Sequence, residues 1–146
     1  MTARPCMSVR TFVDTNILVY SHDRDDRSKH DIARAELRTL WTDGTGVVSP
    51  QVLQEFYVTV TRKIANPLGI DEARSVVMTY AVWCVDVESA DVLEAFRIED
   101  QARIGFWDAL IVASAAKAGA VRLLSEDLNS GQIIAGVRIE NPFVGG

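Results

Sequence analysis

The sequence predicts an α/β fold, a three-layer αβα sandwich whose mostly parallel central sheet is covered by helices on both faces. Three observations carry this. Short apolar, β-branched runs alternate with longer segments of helical periodicity along the whole chain. The connections between them are short enough for right-handed crossovers. Two of the apolar runs empty directly into acids, Phe12-Val13 into Asp14 and Val121-Arg-Leu-Leu-Ser125 into Glu126-Asp127. A buried parallel strand has no use for a charge in its interior, but its carboxyl end opens onto the crevice where such sheets bind ligands.

Taken in order, the first strand ends at Asp14, and Thr15, Asn16 and the apolar run Ile17-Leu-Val-Tyr20 follow. Residues His22 to His30 read as a polar surface loop, with both histidines solvent-facing. Ser28 with Asp31 predicts a capping box for a helix carrying Ala33, Leu37, Leu40 and Trp41, ended at Asp43-Gly44. Gly46-Val-Val-Ser49 is a short strand. Ser49 as cap and Pro50 at the first helical position start the next helix, whose apolar face runs Val52, Leu53, Phe56, Val60 and Ile64. Asp71 is expected to cap a helix with Ala73, Val76, Val77 and Tyr80 inside. Trp83 to Val87 reads as a third strand, and a helix from Ser89 turns Val92, Leu93 and Phe96 inward. Phe106-Trp107-Asp108 opens a run of small and apolar residues that predicts a helix buried on nearly all sides, ended at Gly119. After the fourth strand, Gln132 to Ala135 reads as a helical turn and Val137-Arg-Ile139 as a closing edge strand.

Composition narrows the class. The 146 residues form one ordinary domain, 1–146, with residues 1–8 expected to be disordered or loosely attached. An apolar share of 48% with 24% charged residues excludes disordered and fibrous classes. The net charge of −5 argues against broad electrostatic binding of nucleic acid. It does not exclude an RNA substrate, because acids gathered around a cation are neutralised there. Cys6 and Cys84 belong to no metal-ligand or disulfide pattern. The first ten residues lack the apolar core of a signal peptide and no run is long enough to span a bilayer, so a cytoplasmic location without membrane contact is expected.

Asp14 alone reads equally as a turn aspartate capping the next helix. Other acids reaching the same edge change that reading. In a parallel sheet the carboxyl ends share one edge, so Asp14 and Asp127 are neighbours if their strands adjoin. Glu55, in the helix after the second strand, and Asp108, in the first turn of the buried helix, join them if both side chains project toward that edge. Four converging carboxylates repel one another, and a hard divalent cation removes the problem. Oxygen ligands without histidine or cysteine select Mg²⁺ or Mn²⁺ over zinc, and phosphodiester hydrolysis is the chemistry that suits.

The blocks Val-Asp14-Thr-Asn-Ile-Leu, Gln54-Glu55-Phe56, Phe-Trp-Asp108-Ala-Leu-Ile and Leu-Leu-Ser-Glu-Asp127-Leu together resemble a PIN-domain ribonuclease, and most of all the VapC-type toxins of bacterial toxin–antitoxin pairs. That resemblance implies a Mg²⁺- or Mn²⁺-dependent endoribonuclease in which Asp14, Glu55, Asp108 and Asp127 hold the metal. It implies supporting roles for Thr15, Asn16 and Ser125. Glu126 and Asp127 are adjacent, and the resemblance favours Asp127 as the fourth acid. It also implies an RNA substrate such as tRNA, a cognate antitoxin protein and a homodimer. Two other readings stand beside it. One is a module of the same fold that binds RNA or protein without cleaving. The other is an acid-pocket phosphatase, which wants a second aspartate where this chain has Asn16, and a pocket lysine where it has only the distant Lys117. Arg62, Lys63 and Arg103 are placed to approach phosphates or to serve as surface charge. Trp107 reads as a stacking ring or, more simply, as a core wedge.

Overall fold

The computed structural model describes residues 9–144. The expectation for residues 1–8 lies outside them. The described elements are β1 (Arg10–Val13), α1 (Thr15–Tyr20), α2 (Arg27–Asp43), β2 (Gly46–Val47), α3 (Pro50–Arg62), α4 (Ile70–Tyr80), a 3₁₀ turn (Ala81–Trp83), α5 (Ser89–Ala102), α6 (Phe106–Lys117), β3 (Ala120–Leu124), β4 (Ile133–Ile134) and β5 (Val137–Glu140). The strands form one sheet in the order β2-β1-β3-β5-β4, parallel throughout except for the β4–β5 hairpin. This is the predicted αβα sandwich.

The sheet is narrow and dry. Phe12, Val13, Leu123, Leu124 and Ile139 are essentially inaccessible, so each central strand is buried on both faces. Their continuous apolar runs follow from that, since helices cover both sides. The helix α6 packs against β3 and β5, and α5 lies over α6. Every residue from Ala109 to Ala115 is buried, as a run of small and apolar residues requires, with the Ser114 hydroxyl donating to the Leu110 carbonyl at 2.8 Å.

Several expected elements differ. The stretch Trp83 to Val87 is not a full strand: a 3₁₀ turn occupies Ala81–Trp83, and one parallel bridge joins Val48 to Cys84. The Trp83 ring is the reason. It sits so close over Gly46 that a Cβ there would lie 2.7 Å from three ring atoms, and it packs with Tyr80 and Trp41 at centroid distances of 5.1 Å. The expected helical turn at Gln132 to Ala135 is instead β4, returning into β5 through Ala135 and Gly136, at φ 51° and 79°. Two consecutive positive φ values make the tight hairpin turn that matches strand twist.

Helix starts also shift. Asp26 caps α2 by accepting from Lys29 N at 3.1 Å, in place of the Ser28–Asp31 box. Gly69 takes the cap position of α4, leaving Asp71 in the first turn, where the helix dipole favours it. Ser49 occupies the backbone cap position of α3 with Pro50 inside, yet its hydroxyl makes no cap bond. On α5 the buried positions are Asp91, Ala95 and Ile98, whereas Leu93 and Phe96 are exposed. Small Ala95 suits close approach to α6, and Asp91 is carried there by a 2.8 Å ion pair with Lys117.

The contact between Gly46 and Trp83 gives a test of this packing. Gly46→Ala is expected to lower stability by about 1–3 kcal/mol through overpacking, read as a lower urea midpoint with unchanged slope. An unaltered midpoint would mean that Trp83 moves freely and does not fix the edge of the sheet.

Candidate active site

The site grows from the register of β1 against β3. Val13 pairs with Leu124, and the Asp14 N–H donates to the Leu124 carbonyl at 3.0 Å. The next residue on each strand is therefore Asp14 on one side and Ser125 on the other. Ser125, fully buried, donates its hydroxyl to Asp14 Oδ2 at 2.9 Å. Asp14 is also the cap of α1 and accepts from Thr15 N at 2.7 Å. The capping reading of this residue holds, and its second oxygen is left to Ser125, one oxygen serving each donor.

The other acids reach the same edge. Glu55, one turn into α3, accepts from Thr15 Oγ1 at 2.7 Å. Asp127 lies against Asn16 Nδ2 at 3.3 Å, and its own N–H donates to Ser125 Oγ at 3.2 Å. Thr15 and Asn16 therefore act as rigid spacers, each holding one acid from another element. Asp108, in the first turn of α6, completes the group: the charges of Asp127 and Glu55 add to its burial in raising its pKa. A cleft of about 430 Å³ opens between Thr15, Asn16, Glu55 and Asp127, with Gln54, Thr59 and Lys63 also on its wall.

Glu126 goes elsewhere. It is ion-paired with Lys29 and accepts from the Tyr20 hydroxyl at 3.1 Å. Of the two adjacent acids, Asp127 is the one that faces Asn16. The histidines are not solvent-facing as expected. His30 is buried with Nδ1 at 2.8 Å from the Tyr20 carbonyl, and His22 is half-buried, edge-on to Phe56 at 5.7 Å. Burial pushes the His22 imidazole down. Trp107 is 63% exposed, so it is no core wedge. Lys117 is held by Asp91 and Glu88, which removes the lysine a phosphatase reading needs. Lys63 reaches the cleft; Arg62 and Arg103 are exposed outside its lining. Thr59 and Lys63 follow Glu55 at four and eight residues. That helical spacing puts the three on one face of α3 and is visible in the sequence beside the stronger apolar pattern of the same helix.

Electrostatically the group is unbalanced. Asp14 is 6% exposed, and burial raises its pKa from 3.8 to about 6. The donors Thr15 N and Ser125 Oγ oppose that shift, and the charges of Asp127 and Asp108 add to it. Among the described residues, Asp14, Glu55, Asp108 and Asp127 form no salt bridge. Among those residues, too, no three His, Cys, Asp or Glu side chains stand together as a ready-made metal cage. Asp14, Glu55 and Asp127 are instead each tied to neutral donors. The donor set still fits a hard divalent cation: all oxygen, uncompensated, and carried on four separate elements that meet at one edge.

Fold and cleft together define a parallel α/β protein with its acids gathered at the carboxyl edge of the sheet. The chain belongs to the PIN-domain family: the PIN domain model matches residues 11–133. A comparison with curated proteins gives no match in sequence. Solved structures share the fold. FitAB bound to an IR36 DNA fragment superposes with a TM-score of 0.70 at 16% identity, over 93% of this chain and 97% of the other. The DNA-bound VapBC of Salmonella typhimurium gives 0.63 at 18%, over 92% and 98%. VapC20 of Mycobacterium tuberculosis, a toxin that cleaves the Sarcin–Ricin loop, gives 0.60 at 18%, over 80% and 89%.

The Asp14 shift has a defined sign. The folded chain holds this proton more tightly than the unfolded one, so the stabilisation is complete below about pH 4 and is lost as pH rises through about 6. At roughly 1.4 kcal/mol per pH unit, the loss is on the order of 3 kcal/mol. In cation-free buffer, Asp14→Asn is expected to exceed wild-type stability by about 1–3 kcal/mol at pH 7, with the gap closing toward pH 4. Parallel pH profiles of urea unfolding for the two proteins would show that Asp14 is not the strained acid.

Proposed function

We propose that this chain is a Mg²⁺- or Mn²⁺-dependent endoribonuclease, the toxin of a toxin–antitoxin pair, and that it acts on structured RNA such as tRNA. The observation that carries this reading is the meeting of Asp14, Glu55, Asp108 and Asp127 at one sheet edge with no cationic partner among the described residues. These four would hold the cation. What it supplies when bound is Lewis acidity, charge against phosphodiester oxygens and a more acidic water.

The chain's own residues then have simple tasks. Ser125 and Thr15 N fix the Asp14 carboxylate, and Thr15 Oγ1 and Asn16 keep Glu55 and Asp127 from swinging to solvent. Near neutral pH Asp14 is mostly ionised, with its pKa about 6, and so is ready to bind metal. Lys63 on the cleft wall offers a charge to the RNA phosphate. The buried hydroxyl of Ser125 is committed to Asp14, and hydrolysis by water needs no protein nucleophile.

The fold neighbours FitAB and VapBC, structures of named pairs bound to DNA, support a small antitoxin as partner. A homodimer is part of the same reading. No helix among the described residues is long and apolar enough to cross a membrane. A cytoplasmic location is part of the same reading, because the substrate is cellular RNA.

Purified protein free of antitoxin is expected to cut cellular RNA into discrete products with Mg²⁺ or Mn²⁺ and not with EDTA. Asp108→Asn should fold as wild type and lose at least about 100-fold in rate. The same cations should raise the Tm of wild type, by about 2.7 kcal/mol of stability at a hundredfold excess over Kd, and leave Asp14→Asn unmoved. Cleavage that survives EDTA or Asp108→Asn rejects the metal assignment, and RNA bound without products makes the chain a binding module.

A further inference from the structure

A stepped row of aromatic rings stands beside the acids and takes no part in the roles assigned above. Phe96 on α5 lies 5.7 Å from Phe106, and Phe106 meets Trp107 edge-on at 5.1 Å. The row opens outward. Phe106 is half-buried, and Phe96 and Trp107 are 48% and 63% exposed. A tryptophan has more apolar surface to hide than any other side chain, so leaving it open costs stability that packing does not return. Phe106 props the indole from one edge and leaves the rest of the ring to solvent.

Its position is specific. Trp107 precedes Asp108 in the first turn of α6. One helical step separates them by about 1.5 Å along the axis and about 100° around it. Asp108 faces the charges of Asp127 and Glu55, and Trp107 therefore faces out of the cleft from the same helix end. Arg103 stands just before this turn. It caps α5 in the left-handed region at φ 55°, a conformation uncommon for a residue with a side chain. Its N–H donates to the Glu99 carbonyl at 3.0 Å, and its exposed guanidinium has no hydrogen bond or ion pair among the described residues. An open ring, a supporting ring and an unengaged guanidinium are what an unstacked base and its phosphate require.

The geometry points to Trp107, propped by Phe106 and Phe96, as a stacking platform for an unpaired base next to the phosphate held at the acids, with Arg103 on the backbone of that nucleotide. A continuous duplex hides the faces of its bases, so the platform takes a base that is free of pairing. This inference rests on the nuclease reading for its substrate and adds the side chains that hold the base beside the bound phosphate.

The test reads binding alone. Wild type, Trp107→Ala and Trp107→Phe are titrated into a short fluorescein-labelled single-stranded oligoribonucleotide, and into the same sequence as a duplex, in Ca²⁺ buffer, with the RNA checked for integrity on a gel. Trp107→Ala should weaken single-strand binding roughly 5- to 100-fold. Trp107→Phe should stay within about threefold of wild type, because a smaller ring still stacks, and all three proteins should bind the duplex poorly. Equal affinity of Trp107→Ala and wild type overturns the proposal, as does failure of wild type to bind the single strand. Sedimentation is run alongside: if Trp107→Ala turns a dimer into a monomer and Phe does not restore RNA binding, the row is an interface between copies of the chain. The two readings fail separately. Stacking without products under Mg²⁺ rejects only the nuclease, and cleavage undisturbed by Trp107→Ala rejects only the platform.

Discussion

The parallel pairing of β1 with β3 is the constraint on which the rest of the molecule depends. Its last rung, from Asp14 N to the Leu124 carbonyl, fixes which residues leave the sheet side by side. Ser125 is locked in turn by its N–H to the Glu140 carbonyl on β5 at 3.0 Å. Because side chains alternate along a strand, a slip of one residue would turn Ser125 away from Asp14 and put Phe12 and Leu123 on the wrong faces. The apolar core and the acid site therefore enforce the same register. Neither can be shifted without loss to the other.

The acids are held at some cost to the fold, and the helices around them show how it is carried. Asp14 is buried beside like charges and keeps only neutral donors, an arrangement that favours the protonated carboxyl. The opposing contribution is the packing of α6, whose seven consecutive buried residues from Ala109 to Ala115 leave no polar face to solvate. Charges that serve only the fold are treated differently. Asp91 is paired with Lys117, and Glu126 with Lys29. Pairing, and not burial, separates the two groups of acids, since Asp91 and Asp14 are both buried.

Sequence by itself determined the layers and the edge. Short continuous apolar runs and period-3.6 patterns give strands and helices directly, and an apolar strand ending in an acid marks the carboxyl edge without knowledge of neighbours. Asp14 and Asp127 were legible for that reason, whereas Glu55 and Asp108 lie on helices, and the tertiary structure is what turns them toward that edge. What the tertiary structure decided were matters of direction. Leu93 and Phe96 look like the inward face of α5, yet Asp91, Ala95 and Ile98 occupy it, with small Ala95 suiting the close approach to α6 and Asp91 held by Lys117. Trp83 opens an apolar run that reads as a strand, but seating its ring over Gly46 turns the chain at that point. Gln132 to Ala135 carries no turn dipeptide of the Asn-Gly kind, so the hairpin through Ala135 and Gly136 shows only once β5 is there to pair with. Glu126 and Asp127 are equivalent in sequence, and only Lys29 and Tyr20 on one side and Asn16 on the other assign them. Local pattern fixes what each segment is. Partners from distant segments fix where each side chain points, because those contacts do not exist until the chain has closed.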